Sequence, residues 1–513
     1  MKSTKLIFIT LLVTTFCLAQ QNVMISNVNS PSEPSITINP NNTNQLIAGA
    51  NINNVYNSND GGLTWTRNTM TSTYGVWGDP AIICDNNNNF YFFHLSNPPS
   101  GGNWIDRIVC QKTSNLGTTW TTGTYMGLNG TKAQDKEWAI FDNLSNNIYV
   151  TWTQFDVYGS SNAANKSNIY FSKSTDFGAT WSTSLKINNI SGNCIDDSNT
   201  VEGAVPTVGP NGEIYVSWTG PNGLVFKKSL DQGVTWSLSE IPVSTTTGWD
   251  FSVPGIDRAN GLPITDCDRS GGINNGAIYV NWSDQRNGTN DTDIFIAKST
   301  NGGVTWSAPK RVNDDPAGKQ QFFSWMTIDQ TNGYIYVVFY DRRNHADNTT
   351  DVYLAYSTDG GTTFTNTKIS TTPFLPVSTS VLSDYINITA HNGVIRPIWT
   401  RMDSGATSIW TALVSQSALS NPEFGKETSD SEVKNYPNPS SDESYFSFKL
   451  YKDSFVSIKI YDLSGKEVYE ITNQNFPMGK HVVSMKSNTL KSGEYIYKIK
   501  TDYYTKSKKM IIN

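Results

Sequence analysis

The stretch Ser58-Asn-Asp-Gly-Gly-Leu-Thr-Trp65 decides the reading of this chain, because its pattern returns five more times. The pattern is Ser/Thr-x-Asp/Asn-x-Gly-x-Thr-Trp/Phe, and the other copies are Thr113–Trp120, Ser174–Trp181, Ser229–Trp236, Ser299–Trp306 and Ser357–Phe364. Their third residues, Asp60, Asn115, Asp176, Asp231, Asn301 and Asp359, lie 55, 61, 55, 70 and 58 residues apart. Each copy has the chemistry of a hairpin turn. An Asp or Asn bonds nearby backbone, a Gly supplies positive φ, and an aromatic packs the turn onto a sheet. A period of this length marks a repeat architecture, so the repeat organises the fold.

Between these turns runs a second pattern: an apolar strand, an Asn/Gly turn, and a strand reading Tyr-Val-x-Trp. Examples are Tyr149-Val-Thr-Trp152 and Tyr215-Val-Ser-Trp218, with Tyr336-Val-Val-Phe339 as a variant. Near-continuous apolar runs suit strands covered on both faces. The six turns together resemble the Asp-box of the sialidase (BNR-repeat) superfamily. That resemblance implies an all-β fold built on a β-propeller, with the Asp-boxes on the face away from the active site. Counting the strand unit, from Pro34 to Tyr385, gives seven blades, with six as the alternative because sialidases have six. The last unit has three clear strands of its own, and Asn22–Val28 is expected to supply its fourth.

Met1 to about Gln20 reads as a secretory signal peptide, with Lys2 and Lys5 ahead of the apolar run Leu6–Leu18. That run is too short to span a bilayer, and no later stretch serves as a transmembrane segment. Residues 418–434 read as a polar linker after a propeller of residues 21–417. From 435 onward Asn435-Tyr-Pro-Asn-Pro439, Val456–Val468 and Leu490–Tyr497 alternate apolar and polar residues between Gly turns, as a small antiparallel Ig-like sandwich does. Those motifs resemble the C-terminal sorting domain of type IX secretion substrates. The resemblance implies the type IX secretion machinery as a partner and the outer-membrane surface or the medium as destination. A carbohydrate-binding Ig-like module is the other reading of this segment.

The formal charge is −6, and residues 435–513 hold 12 Lys against 8 Asp and Glu, so the acidity lies in the body of the chain. Such a body argues against nucleic acid as a partner. Cys84, Cys110, Cys194 and Cys267 show no metal-ligand spacing, and export leaves their pairing open between free thiols and disulfides. No cofactor is expected, with a structural calcium as an open alternative.

Two sets of residues could carry chemistry. The loops joining second to third strands hold Asp284 and Arg286, then Asp341, Arg342, Arg343 and His345, then Arg401, with Asp156 and His94 in earlier blades. Paired Asp and Arg could grip a sugar acid, Arg as a planar fork and Asp as acid or base. They could equally pair within their own loops. The residue preceding each first strand is Glu33, Asp79, Glu137 or Asp384 in four blades, an acidic channel mouth in which carboxylates raise one another's pKa or cap strand ends. Trp138 and Trp325 are candidate sugar-stacking platforms.

The sialidase resemblance implies an Arg-Ile-Pro opening, further arginines on the sialic carboxylate, an Asp acid/base and a Tyr–Glu nucleophile pair. Ser32 stands where the first Arg belongs. Tyr385 sits near the place of the nucleophile, and Asp341 and Asp284 are the candidate acids. A lyase is constrained, since His94, His345 and His391 are the only propeller histidines. The expectation is therefore a secreted or surface sialidase-like propeller acting on extracellular glycans or glycoproteins, a possible glycoside hydrolase. The alternative is a noncatalytic glycan- or protein-binding adhesin.

Overall fold

A computed structural model describes residues 21–420, 433–450, 453–501 and 505–513. The expected signal peptide and most of the expected linker lie outside the described residues. The chain divides into two units, one ending at Ser420 and one beginning at Asn421.

The first unit contains seven four-stranded antiparallel sheets and a two-stranded one, Asp250–Phe251 with Ala259–Asn260. Six of the seven are meanders of consecutive strands, such as Ser35–Asn39, Asn42–Ala50, Asn54–Ser58 and Thr66–Thr69. The seventh takes Asn387–His391, Val394–Asp403 and Ala406–Ser415 and completes itself with Gln21–Ser26. Gln21 lies opposite Leu413 and Ser26 opposite Ile409. Each first strand neighbours the first strand of the next sheet, and that of the seventh neighbours that of the first, so the sheets form a closed β-propeller. The outer edges that remain are short, such as the two-residue strands Leu185–Lys186 and Lys310–Arg311.

The six repeated turns join third to fourth strands. In the first, Ser58 Oγ donates to Asp60 at 2.8 Å and accepts from the Gly62 amide at 2.9 Å, while the Thr64 amide and hydroxyl donate to the Asp60 carboxylate at 2.9 and 2.6 Å. The Asp231 turn has the same bonds, and those from Thr235 hold its carboxyl down at about 2. The closing aromatics reach a neighbouring blade: Trp236 meets Phe171 edge-on at 5.2 Å and Trp306 meets Phe226 likewise.

The core lies between blades. Tyr149, Ile169 and Phe171 of the third pack against Val208, Ile214, Val216 and Trp218 of the fourth. Trp152, Trp218 and Trp282, at the same place in successive second strands, are fully buried; each large apolar side chain so placed contributes about 1.5–3 kcal/mol. Cys110, Cys194 and Cys267 are buried and Cys84 half-buried, all four as free thiols.

The second unit has a sheet of Lys434–Tyr436, Glu443–Leu450 and Gly479–Lys486, and a sheet of Glu467–Phe476, Ser454–Tyr461, Gly493–Lys500 and Thr505–Ile512. Val456, Ile458 and Ile460 alternate inward against Phe446, Phe448, Ile499 and Met510, the period-two burial of a small sandwich. Among the described residues no helix is long and apolar enough to cross a membrane.

Candidate functional site

Four of the propeller's seven first strands share a defect that builds a site. Their pairing with the second strand slips between Gly78 and Ala81, Asp135 and Trp138, Glu202 and Val205, and Phe322 and Trp325. Inside each slip lies one residue of positive φ: Asp79 at 53°, Lys136 at 53°, Gly203 at 77° and Phe323 at 50°. Glu33, just ahead of the first blade's strand, has φ 54°. A bulge of this kind re-aims side chains, and here it brings residues of different blades together at the mouth of the central channel.

Lys136 is the hub. Its ammonium lies 2.9 Å from Asp79 Oδ2 and 2.8 Å from Asp384 Oδ2, one cation between the second and seventh blades. Arg258 joins Asp384 at 3.0 Å to Asp196 at 3.1 Å, and Tyr158 donates its hydroxyl to the same Asp196 oxygen at 2.8 Å. Asn51 donates to Glu33 at 3.0 Å while its Oδ1 accepts from the Asp79 amide at 2.7 Å.

Carboxyls outnumber cations, and the protonation states follow. Burial would raise Asp384, but Lys136 and Arg258 outweigh it and hold its carboxyl below the usual range. Burial, then Asp79 and Asp384, push Glu33 well up. Burial pushes Asp135 up to about 7 against the pull of Lys136. Glu137 and Glu202 are pushed well up, chiefly by burial, and none of their four carboxyl oxygens has a hydrogen-bond partner.

The expected acidic ring needs a correction. Glu33, Asp79 and Asp384 do converge, around Lys136. Glu137 is not their counterpart, because the bulge sets Lys136 at the positive-φ position that Glu33 and Asp79 occupy. Aligning Pro34 and Pro80 with Trp138 puts the frame one residue out.

Trp138, Trp325 and Tyr385 also converge. Their ring centroids are 4.2 Å apart for the tryptophans and 5.1 and 6.2 Å from each to Tyr385. They are 8–9% exposed and plug the channel beneath the ion cluster rather than offering open stacking faces. With Lys136, Asn260 and Asp384 they line a cavity of about 20 Å³, room for water and not for a sugar ring. Burial, then Asp79 and Glu33, push the Tyr385 phenol well up.

The loop arginines do not join this site. Arg343 pairs with Asp341 at 2.7 Å, pairs with Asp314, and stacks 4.3 Å over Tyr353. Arg286 pairs with Asp284, donates to the Thr245 carbonyl and lies 4.6 Å over Phe295. Arg401 grips Asp403 with two bonds of 2.7 and 2.9 Å beside Trp410. Arg342 is fully buried, donates to the Pro254 carbonyl at 2.7 Å and sits 5.1 Å over Phe322, where burial pushes it down to about 10. His345 meets Asp351 at 2.9 Å. The expected shared pocket of Asp341, Arg342, Arg343, His345, Asp284, Arg286, Arg401 and Tyr385 is therefore not formed. Local geometry is the reason: Asp284 and Asp341 end their strands and accept from the amides of Arg286 and Arg343 in the following turns, which folds each Arg back on its Asp, and Arg401 and Asp403 share a face of one strand. The early-blade His94 is also buried, between the Leu95 carbonyl and Gln111.

Sequence reading missed Asp135, Asp196, Glu202, Arg258 and Asn260. Asp196 and Arg258 lie in connections between blades, outside the repeat, and had no signal. Asp135 and Glu202 begin the bulge in adjacent blades, and the bulge shows only in the strand register. Among the described residues no three His, Cys, Asp or Glu side chains are grouped to hold a metal ion.

Residues 434–513 match the family model of the secretion system C-terminal sorting domain. No curated protein matches the chain. Solved structures similar to it include a protein of unknown function from Dyadobacter fermentans, 12% identical over 77% of this chain and 97% of that one, at a TM-score of 0.44. A Hadza microbial sialidase is 14% identical over 73% and 74%, also at 0.44. Trypanosoma rangeli sialidase in complex with sialic acid is 10% identical over 86% and 84%, at 0.42. The C-terminal unit is thus a sorting domain, and it directs the protein through the type IX secretion system to the cell surface or the extracellular space.

Proposed function

We propose that this protein is an extracellular binding propeller, an adhesin-class module for glycan or protein, and not a sialic-acid hydrolase. One observation carries the reading: the arginines that could clamp a sugar carboxylate, Arg258 at the mouth included, are paired with acids or buried, while the channel mouth has carboxyls in excess of its cations. The two cations at the mouth, Lys136 and Arg258, are each already held by two carboxylates, so neither is left to receive an anionic sugar. The free volume of about 20 Å³ above the aromatic plug speaks against a buried sugar in the channel.

The test is turnover of fluorogenic sialosides by the secreted protein. No release above the blank is expected from wild type or from Tyr385→Phe. Hydrolysis that Tyr385→Phe abolishes would overturn the proposal.

A second reading has one observation in its favour. Asp135, raised to about 7, and Asp384, held ionised, have the split that a glycosidase acid and its carboxylate partner need. Fluorogenic neutral glycosides cleaved by wild type and not by Asp135→Asn would establish it.

A further inference from the structure

We infer that Trp77, Trp104 and Tyr158 form a stacking subsite for uncharged pyranose rings at the rim of the channel mouth. The inference rests on the binding reading above and names its ligand class. Trp77 and Trp104 are 39% and 42% exposed, whereas the second-strand indoles Trp152, Trp218 and Trp282 are fully buried between blades. They meet edge-to-face at 5.4 Å and 89°, and Trp104 meets Tyr158 the same way at 5.5 Å and 82°. The row is held before any ligand arrives. Trp77 donates its amide to the Leu95 carbonyl at 2.9 Å, and the Ile105 amide donates to the Ser96 carbonyl at 3.0 Å. Asp106, beside Trp104, is fixed by Ser96 at 2.8 Å and Arg107 at 2.7 Å. Phe155 packs on Tyr158 at 4.9 Å. Order of this kind removes an entropy cost from binding.

The row and the ionic floor form one surface. Trp77 is two residues from Asp79, the partner of Lys136, and the Tyr158 hydroxyl bonds Asp196, which leads through Arg258 to Asp384. At the end of this row Asp196, which accepts from Tyr158, keeps its other carboxyl oxygen, Oδ1, without a hydrogen-bond partner. A pyranose has the matching chemistry, with apolar C–H faces for the rings and hydroxyls for the carboxyl. Lys136 and Arg258 are each already held by two acids, which leaves no cation there for a uronic or sialic carboxylate. A quaternary ammonium wants rings arranged around a void; these rings touch in a row and leave none, so they offer a platform rather than a cage.

The experiment is calorimetric titration of the secreted protein with neutral hexasaccharides (β-glucan, α-glucan, xylan and mannan series), oligogalacturonate, a sialylated oligosaccharide and choline. At least one neutral series should bind and shift the tryptophan fluorescence. Trp77→Ala and Trp104→Ala should each weaken it on the order of tenfold, Trp104→Phe by much less, and Ile273→Ala, at a fully exposed residue in the turn between two strands of the fifth blade, not at all. Circular dichroism checks that each variant is folded. Absence of binding to every neutral series, preference for an acidic sugar or choline, or unchanged affinity in both alanine variants would overturn the subsite. Retention of a protein ligand without glycan binding would leave the adhesin reading standing and remove this one. Sialoside turnover together with Trp104-dependent neutral binding would do the reverse.

Discussion

Lys136→Met removes the ammonium at the centre of the ion cluster and keeps the length and apolar bulk of the side chain, so little cavity is made. Asp79 then loses its cation, while Asp384 keeps Arg258 at 3.0 Å. An unpaired buried carboxylate costs about 3–5 kcal/mol. Proton uptake caps that cost: neutralising a carboxyl of ordinary pKa near 4 takes about 1.4 kcal/mol per pH unit, so about 5 kcal/mol at pH 8 and about 1.4 at pH 5. A propeller of about 400 residues unfolds with an entropy near 0.8 kcal/mol/K. The propeller transition should therefore fall by about 4–6 °C at pH 8 and only about 1–2 °C at pH 5. Scanning calorimetry of wild type and variant at both pH values measures this. An equal loss at the two pH values, or none at pH 8, would refute the claim that Lys136 compensates buried charge.

The wild-type propeller should itself be most stable on the acid side of neutrality. Asp135, Glu33, Glu137 and Glu202 keep protons when folded that they release when unfolded, so stability falls as pH rises from about 4 through the value of about 7 at Asp135. Asp384 has the opposite sign: its stabilisation is present above about pH 4 and is lost as pH falls below that. Urea denaturation across pH 3–9 should show a maximum near about pH 5, and a monotonic rise to pH 8 would contradict the protonation states. Deleting residues 434–513 should leave a folded propeller that fails to reach the cell surface, read by surface proteolysis and fractionation; normal delivery of the truncated chain would separate the sorting match from its role.

The fold was legible because the repeat puts the same local chemistry in the same place. Ser-x-Asp-x-Gly-x-Thr closes its turn through bonds between residues two to four apart, so each copy can be read without the rest of the molecule. The closing strand Gln21–Ser26 was legible for a different reason: the last blade had three strands and the segment before Pro34 had the right pattern and no other place. The loop acids and arginines were legible too, but as pairs. Asp341 and Arg343 are two residues apart across the start of a turn, where the Arg343 amide bonds the Asp341 carboxylate, and Arg401 and Asp403 are two apart within one strand, on one face. Local ion pairing accounts for their recurrence from blade to blade without any ligand.

The site was hidden where the repeat breaks. A one-residue bulge moves every side chain after it to the other face of its strand, and sequence spacing does not reveal the slip between Asp135 and Trp138. At the position holding Glu33 and Asp79 in the first two blades, the third places Lys136, and that substitution turns a ring of repelling acids into a cluster with a cation at its centre. The second cation, Arg258, comes from the connection before the fifth blade, and Asp196 from the one before the fourth. A symmetric propeller would give each blade the same residue at the mouth and so a site with no direction. Here the cations and Tyr158 draw the ionic network toward the second, third and fourth blades, the side on which Trp77 and Trp104 stand exposed. The asymmetry that sequence periodicity could not show is therefore the property that would give the proposed ligand one orientation at this mouth.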